Sequence, residues 1–401
     1  MVMNAAALCA VGAEKAVSNE LRKLGLKVIE SGFGRIRFSS DLPGLYRALI
    51  GFRAADRVLL EAALFPASDF DALFDNTAAV AWEDYIPQGA GLVVAKVRTN
   101  RSALKAETSI QAIVHKAAAE RLCQKWGVLR LPDNGEKAEL RVNIEKDNVT
   151  LLLDISGEPL FKRGYRTSGG IAPLRETTAA ALILLSGWKR KFPLYDPFCG
   201  SGTIAIEAAM YAWDMAPGLT RCFSLERLLI SSRKTEKDIR EEFLSRVDFS
   251  RQIRISGSDA DMDIVRLAQA NLDKIIFGFK GTSASYSQAN KSVEFKTLPM
   301  EQAIAPVYAK AESGKEMSDR DDNSKGYIIT NPPYGKRIGS PELSEEIYKN
   351  TGELGKRFPG WKLVLVCDHP GFESFFGKKA DSCRELTNGA IQLYMYQYEK
   401  L

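Results

Sequence analysis

From residue 166 to the end of the chain, segments with strand character alternate with segments with helix character. Short β-branched and apolar runs predict strands, and they lie at 194–198, 253–259, 293–296, 327–330, 362–367 and 390–398. Longer runs with apolar residues at helical spacing predict helices, and they lie at 174–188, 203–213, 263–272 and 343–358. Because parallel strands are joined by helices that cover both sheet faces, this alternation predicts an α/β domain built on a mostly parallel sheet.

The first part of the chain predicts a different organisation. Residues 1–60 mix strand-like and helical patterns around Gly-rich turns, which predicts a small α+β module. Residues 61–165 follow as a separate segment that ends in a predicted hairpin at 140–155. A chain of 401 residues is too long for one ordinary core. We therefore expect domains at 1–60, 61–165 and 166–401.

The positive charge of the chain is localised. The net charge is +5, and residues 86–166 alone hold 14 Lys/Arg against 9 Asp/Glu. Such a basic segment predicts a polyanionic partner, with a solvated surface as the alternative. Arg101, Lys105 and Lys116 fall roughly on one helix face. The linker Phe161-Lys-Arg-Gly-Tyr-Arg166 could contact phosphates and stack a base, or it could be a plain interdomain connection.

Cysteine and histidine usage exclude several classes of protein. The six cysteines form no Cys-x-x-Cys pair and there are two histidines, so neither a zinc site nor a disulfide framework is expected. The longest apolar runs fall well short of a membrane span. The first residues lack the basic region of a signal peptide. We expect a cytoplasmic protein with no metal and no membrane partner.

The motif Asn331-Pro332-Pro333-Tyr334 follows a predicted buried strand, at the end where open α/β sheets bind ligands. The two prolines end the strand and stiffen the loop, because each fixes φ and has no N–H to donate. The Asn331 side-chain oxygen and a neighbouring backbone carbonyl can accept both hydrogens of a planar exocyclic amine. The Tyr334 ring can stack on a base. The motif predicts a site that orients an –NH2 group, and a strand-ending turn with an incidental aromatic is the alternative.

A second motif, Asp196-Pro-Phe-Cys-Gly-Ser-Gly-Thr203, joins a predicted strand to a predicted helix. Gly200 and Gly202 allow a tight turn and let a ligand approach the backbone. The N–H groups that begin the helix can bind an anionic group. The motif lacks the Gly-Lys-Ser/Thr of a phosphate loop and the full dinucleotide fingerprint. With Asp196 for an ammonium and the helix end for a carboxylate, this loop suits the amino-acid end of S-adenosylmethionine.

A third motif, Gly257-Ser-Asp-Ala-Asp261, ends the next predicted strand. A carboxylate at this place can hold both hydroxyls of a ribose, as the acid does in dinucleotide folds. Asp259 is the first candidate for this role and Asp261 the second. An exposed acidic turn is the alternative for the motif taken alone, and its position between the two other motifs favours the ligand-binding role.

These motifs give the chain a resemblance to a known family. It resembles class I S-adenosylmethionine-dependent RNA methyltransferases of the THUMP-containing type that modifies guanine N2 in large-subunit ribosomal RNA. Besides the three motifs, the last continued as Gly-Lys-Arg, the resemblance rests on Ala172-Pro-Leu-Arg-Glu-Thr-Thr-Ala-Ala-Ala181 and Leu386-Thr-Asn-Gly-Ala-Ile391. The resemblance covers nearly the whole chain.

The resemblance implies a Rossmann-like class I methyltransferase domain with a mostly parallel seven-stranded sheet at 166–401. Before it would come a ferredoxin-like module at 1–60 and a THUMP RNA-binding domain at 61–165. The resemblance further implies S-adenosylmethionine as cofactor, 23S ribosomal RNA or a ribosomal precursor as partner, and the N2 amine of a guanine as methyl acceptor.

The resemblance also assigns site residues. The implied catalytic residues are Asn331, Pro332, Pro333 and Tyr334. The implied cofactor-binding residues are Asp196, Phe198, Cys199, Gly200, Ser201, Gly202, Thr203, Asp259, Ala260, Asp261, Glu301 and Asn331. The chain departs from the family where an acid usually contacts the adenine amine, because Pro299 and Met300 stand there. Glu301 is the substitute that we expect, and backbone contacts are the alternative.

Other functions share parts of this pattern. Asn-Pro-Pro-Tyr serves any planar amine, so tRNA guanine, DNA adenine or cytosine, and protein glutamine are alternative acceptors. The basic segment favours RNA over DNA and protein. A catalytically inactive RNA-binding protein is a further alternative, and the intact Asp196, Asp259 and Asn331 count against it. The missing third glycine disfavours a nucleotide-dependent dehydrogenase.

Overall fold

The computed structural model describes residues 2–166, 174–278, 289, 292–305, 325–333 and 341–401. Within these ranges the chain forms two seven-stranded sheets, one in each half. Each sheet has a large apolar core of its own. No helix in the described ranges is both long enough and apolar enough to cross a bilayer.

The first sheet is mainly antiparallel. Its strands in chain order are β1 (Met3–Cys9), β2 (Lys27–Gly32), β3 (Arg35–Ser40), β4 (Ala55–Pro66), β5 (Gly91–Asn100), β6 (Lys137–Glu145) and β7 (Asn148–Asp154). Their spatial order is β2-β3-β1-β4-β7-β6-β5, and only β5 and β6 run parallel. β3 illustrates the alternating pattern that favours a strand. Its buried residues Ile36 and Phe38 alternate with half-buried neighbours, so one face of the strand packs on the core.

The first half contributes four helices that pack with this sheet, and two of them begin at a side-chain cap. They are α1 (Glu14–Lys23), α2 (Leu42–Gly51), α3 (Phe70–Ala79) and α4 (Glu107–Trp126). Asp41 caps α2 by accepting the Gly44 N–H at 2.9 Å, and Asp69 caps α3 by accepting the Ala72 N–H at 2.8 Å. α4 ends at Gly127, whose φ of +65° suits the left-handed conformation that ends many helices.

The predicted boundary at residue 60 falls inside β4. This strand of 12 residues pairs with β1 on one side and with β7 on the other. Residues 1–60 and 61–165 therefore contribute to one continuous sheet. The division of this half at residue 60 and the assignment of 61–165 to a THUMP domain stay predictions.

The second sheet has the predicted α/β organisation. Its strands are β8 (Leu194–Asp196), β9 (Ile255–Asp259), β10 (Val293–Thr297), β11 (Tyr327–Thr330), β12 (Lys362–Cys367), β13 (Ser382–Asn388) and β14 (Ile391–Tyr398). Their spatial order is β10-β9-β8-β11-β12-β14-β13, and β14 runs in the opposite direction to the other six strands. This mostly parallel sheet confirms the predicted fold class. The order reverses at β8, whose two neighbours are β9 and β11, so the ligand crevice is expected over β8.

The helices of this half connect the strands. They are α5 (Glu176–Leu185), α6 (Thr203–Ala212), α7 (Arg233–Leu244), α8 (Met262–Gly278), α9 (Pro341–Thr351), α10 (Leu354–Arg357) and α11 (Phe372–Phe376). The single helix predicted at 343–358 is wrong, because α9 and α10 are separated by Gly352 and Glu353. A Cβ at Gly352 would lie 2.8 Å from the Phe376 carbonyl oxygen, so the end of α11 approaches the chain closely at this break.

The two halves pack against each other. Ile239 and Phe243 of α7 belong to the apolar core of the first sheet. Beside them, Arg47 Nη2 on α2 pairs with Glu242 Oε2 on α7 at 3.0 Å. The segment between α6 and β9, which contains α7, therefore packs the second half against the first.

The linker at 161–166 turns inward. Arg163 and Tyr165 are only 4% and 2% exposed, and the Phe161 ring lies 4.6 Å from the Arg175 guanidinium. These side chains face protein, so the structure favours the plain connection over RNA contact for this stretch.

Candidate active site

The loop between β8 and α6, residues 197–202, is shaped by its two glycines and is called the glycine loop below. Gly200 and Gly202 have φ of +51° and +82°, a region that side chains other than glycine rarely adopt. A Cβ at Gly202 would lie 2.9 Å from the Phe295 ring, so the loop packs closely on β10. At Gly200 no heavy atom of the described residues, apart from Gly200 and its two chain neighbours, lies within 4 Å of where a Cβ would be. The backbone at Gly200 therefore faces open space, as a loop that receives a ligand requires.

Asp196 links the ends of two neighbouring strands. It is the last residue of β8 and is 1% exposed. Its Oδ1 accepts the Thr330 hydroxyl of β11 at 2.6 Å and the Phe198 N–H at 3.1 Å. Burial raises the pKa of Asp196 to about 7, helped by the nearby charge of Asp259 and opposed by these two hydrogen bonds. The carboxyl therefore titrates close to neutral pH.

This titration predicts a pH-dependent affinity for S-adenosylmethionine. An ammonium is attracted by the ionised carboxylate, so the affinity should rise several-fold from pH 6 to pH 7.5, below the titration of an α-amino group. Calorimetric titration across this range measures the effect. Asp196→Asn should bind more weakly at pH 7.5 and lose most of the pH dependence. The same pH dependence in Asp196→Asn as in the wild type would remove Asp196 from ammonium binding.

Asp259 and Asp261 differ in surroundings. Asp259 ends β9 and is half-buried, and its Oδ2 accepts the Gly200 N–H at 3.0 Å while its Oδ1 accepts the Asp261 N–H at 3.1 Å. Asp261 is exposed, and its Oδ1 accepts the Asp263 N–H at 2.8 Å at the start of α8. Asp259 thus contacts the glycine loop, whereas Asp261 begins a helix. This placement favours Asp259 for the predicted ribose contact.

The remaining residues predicted to bind the cofactor lie along the same edge of the second sheet, near Asp196 and Asp259. Phe198 and Ser201 are half-buried, Cys199 and Thr203 are buried, and Ala260 is exposed beside Asp259. The Cys199 N–H donates to the Ser258 carbonyl at 2.9 Å, which joins the loop to β9. Their contacts with the cofactor stay predictions.

Glu301 lies after β10 in a short 3-10 helix, Met300–Gln302. Its side chain is exposed, whereas Met300 is buried. The Leu298 N–H donates to the Asp259 carbonyl at 2.9 Å, so the chain after β10 runs next to the end of β9. The predicted contact of Glu301 with the adenine amine stays a prediction.

Asn331 directly follows β11. It is 7% exposed, and its Oδ1 is buried with no hydrogen-bond partner among the described residues. An unsatisfied buried oxygen costs about 1–3 kcal/mol, and such a group needs an explanation such as a functional role. Pro332 is buried and Pro333 half-buried, while Tyr334 lies outside the described residues.

These groups fit S-adenosylmethionine and an amine side by side. The open backbone at Gly200 and the carboxylates of Asp196 and Asp259 would hold the cofactor, and the Asn331 oxygen lies at the next strand end. When bound, S-adenosylmethionine supplies an already activated methyl group. The chain's own part is then to bind both reactants, orient the amine and exclude water.

Some features of the site gave no signal in the sequence. The hydrogen bond between Thr330 and Asp196 joins residues 134 positions apart. Arg166, whose Nη2 donates to the Thr203 hydroxyl at 2.8 Å, lies in the linker rather than in any of the three motifs. Only the folded chain places these residues together.

Comparison with known proteins agrees with this arrangement. The family described as RMKL-like, methyltransferase domain matches residues 163–298 and 300–397, and the RlmL ferredoxin-like domain matches residues 4–59. YpsC of Bacillus subtilis is 32% identical over 391 residues, which cover 97% of this chain and 94% of YpsC.

Two further proteins extend the comparison. The ribosomal RNA large subunit methyltransferase K/L of Syntrophotalea carbinolica is 32% identical over 97% of this chain and 52% of its own length. The chain thus spans about half the length of this relative. The crystal structure of SMU.472 complexed with SAH has a TM-score of 0.84 and 32% identity, and the match covers 100% of this chain and 98% of that chain.

SAH is S-adenosylmethionine without its transferred methyl group, so this likeness confirms the predicted cofactor together with the predicted fold. The family profile covers more than half of the chain, including all three motifs. The chain therefore belongs to the RMKL-like methyltransferase family and uses S-adenosylmethionine.

Proposed function

We propose that this protein transfers a methyl group from S-adenosylmethionine to the exocyclic N2 amine of a guanine in RNA, in particular 23S ribosomal RNA. The observation that carries the proposal is the buried Asn331 Oδ1, which has no hydrogen-bond partner in the described part of the chain and lies at the strand end next to the glycine loop. Such an oxygen accepts a hydrogen from a planar amine. The names of the K/L relatives support ribosomal RNA as the acceptor.

The proposed mechanism relies on orientation. Asn331 Oδ1 and the Pro332 carbonyl accept the two hydrogens of the amine, which leaves the nitrogen lone pair free. Pro332 and Pro333 keep this loop stiff, because their φ angles are fixed. The guanine has to leave its stack to reach the pocket, as in other enzymes that act on a base. Positioning of this kind can supply a large part of the rate enhancement.

The distribution of basic side chains supports an RNA partner. Lys96 and Arg98 of β5 and Arg101 and Lys105 of the following loop are exposed along one edge of the first sheet. We define these four residues as the β5 basic edge. Phosphate groups attract such an edge without regard to sequence.

The β5 basic edge predicts a salt-dependent affinity for RNA. The logarithm of the affinity should fall linearly with the logarithm of salt concentration, because each phosphate contact releases counterions. Arg98→Ala/Arg101→Ala should make this slope shallower by about 1 to 2. The matched control Lys234→Ala/Lys237→Ala removes two exposed charges of α7 and should leave the slope unchanged. A flat salt response of the wild type would remove this edge from RNA binding.

The test of the proposed function is methyl transfer from labelled S-adenosylmethionine to ribosomal RNA from a strain that lacks this protein, followed by nucleoside analysis. Labelled N2-methylguanosine is the expected product. Label in tRNA, DNA or protein glutamine instead would assign one of the alternative acceptors. The protein could instead bind the cofactor but transfer no methyl group, either to purified RNA or to assembled ribosomal particles. That result would indicate a catalytically inactive RNA-binding protein.

A further inference from the structure

Three side chains of the linker contact a single face of α6. Arg163 Nε and the Tyr165 hydroxyl lie 3.4 and 3.2 Å from Glu207 Oε1. Arg166 Nη2 donates to the Thr203 hydroxyl at 2.8 Å. Thr203 and Glu207 are four positions apart in a helix and so lie on the same face. Thr203 is also the first residue of α6, directly after the glycine loop.

The contact of Arg166 is mostly shielded from water. Its side chain is 16% exposed, Thr203 is 7% exposed and Glu176 is 4% exposed. Arg166 Nε lies 3.6 Å from Glu176 Oε1, and Nη2 also donates to the Leu174 carbonyl at 3.1 Å. A guanidinium with fixed donors in such surroundings holds its acceptors in one geometry.

The position of this cation is unfavourable for the helix alone. The N-terminus of a helix carries partial positive charge, so a second positive charge beside it is repelled. Glu176 offsets the charge of Arg166, and an anion bound at the loop would be attracted by both the helix end and Arg166. The charge beside the helix end is therefore balanced by Glu176 in the free protein, and it adds to the attraction for the carboxylate of a bound amino acid.

The other end of the linker is tied to the first half. Arg163 Nη2 donates to the Arg53 carbonyl at 2.5 Å, and Arg53 Nη2 donates to the Met215 carbonyl at 2.8 Å. Arg163 and Arg53 are both nearly fully buried. The linker therefore contacts the connection between α2 and β4 on one side and α6 on the other.

We propose that Arg166 is a positioning residue for cofactor binding. Its hydrogen bond to the Thr203 hydroxyl fixes the first turn of α6. The end of the glycine loop that binds the carboxylate of the cofactor is therefore already formed before the cofactor binds. The inference concerns cofactor binding and does not depend on which base is methylated. A failed search for N2-methylguanosine would therefore leave it standing. The N–H groups of the glycine loop bind the carboxylate, and Arg166 acts on the loop through Thr203.

A double-mutant cycle tests this role. Arg166→Ala and Thr203→Val should each raise the Kd for S-adenosylhomocysteine by about tenfold or more, since each removes one charge-assisted hydrogen bond. The double variant should bind about as weakly as either single variant, because both remove the same contact. Thr203→Ser keeps the hydroxyl and should bind like the wild type. Calorimetric titration gives the Kd of the wild type and of each of the four variants.

Steady-state kinetics separate positioning from a general loss of structure. KM for S-adenosylmethionine should rise in Arg166→Ala, whereas kcat at saturating cofactor and KM for RNA should change by less than about threefold. Arg141→Ala, which removes a similarly buried arginine of the first sheet, is the control and should leave KM for the cofactor unchanged. If Arg166→Ala does not fold, Thr203→Val and Thr203→Ser still decide the question. A Kd within twofold of wild type in Thr203→Val, or additive effects in the cycle, would overturn the proposal.

Discussion

Asn331→Leu is expected to lower kcat by about 100- to 1000-fold, the size of effect that loss of one aligned group in an active site produces. The amine loses the oxygen that orients it, while the glycine loop and its carboxylates are untouched. The Kd for S-adenosylhomocysteine should therefore stay within a few-fold of the wild-type value. Single-turnover methyl transfer and calorimetric titration measure the two quantities separately.

The same substitution should not destabilise the protein. Asn331 Oδ1 is buried and has no partner within the ranges that the structure describes, and Leu has a similar shape with no polar atom. Thermal unfolding should occur at the same or a higher temperature, with a gain of up to about 1 kcal/mol. Asn331→Asp keeps an acceptor oxygen and should retain more activity than Asn331→Leu. Near-normal kcat in Asn331→Leu, or a large loss of cofactor affinity, would contradict the role assigned to Asn331.

Asp259→Ala is expected to weaken S-adenosylmethionine binding by about 100-fold, because two hydrogen bonds to a charged group would be lost. The variant also loses the acceptor for the Gly200 N–H, which is 3.0 Å from Asp259 Oδ2. The glycine loop should therefore become less well ordered, and the effect on Kd should exceed that of a single ribose contact. Calorimetric titration with S-adenosylhomocysteine gives the change directly.

Two neighbouring acids serve as controls for Asp259. Asp263 is exposed at the start of α8 and pairs with Arg266 at 3.2 Å, so Asp263→Ala should bind the cofactor normally. Asp261→Asn retains a side-chain acceptor for the start of α8 and should also bind normally. Unchanged affinity in Asp259→Ala, together with a loss in Asp261→Asn, would move the ribose contact to Asp261.

The order of the strands explains why three separate motifs belong to one site. β9, β8 and β11 are neighbours and parallel, so their last residues lie at the same edge of the sheet. Asp259, Asp196 and Thr330 end these three strands. The hydrogen bond from Thr330 to Asp196 and the shared contact of Asp196 and Asp259 with the glycine loop then join the three motifs.

Two neighbouring strands of the second sheet, one of which carries a motif, were predictable because the signals are local. Tyr327–Thr330 and Lys362–Cys367 are strands over the predicted residues, since β-branched and apolar residues bounded by turn residues favour a buried strand. The tight turn at Gly200 and Gly202 was equally readable, because only glycine tolerates positive φ without strain. Such local features, together with the family resemblance, are enough to predict the fold class, the cofactor class and the three motifs of the candidate site.

Other elements depend on contacts between distant residues. β4 reads as a mixed run of Ala, Leu and charged residues, and it is a strand because β1 and β7 pair with it on both sides. β13 is largely exposed and shows no apolar alternation, so only its pairing with β14 makes it a strand. Pairing of this kind overrides local propensity.

The tertiary structure also decided which polar groups are buried together. The sequence shows an arginine-rich linker, and folding buries Arg163 and Tyr165 against Glu207 and places Arg166 on Thr203. Sequence patterns record periodicity and turn chemistry, which act over a few residues. The burial of Asp196, the unpartnered oxygen of Asn331 and the contact of the linker with α6 arise only when the sheet brings distant strands and helices into contact, because desolvation depends on neighbours that are far away along the chain.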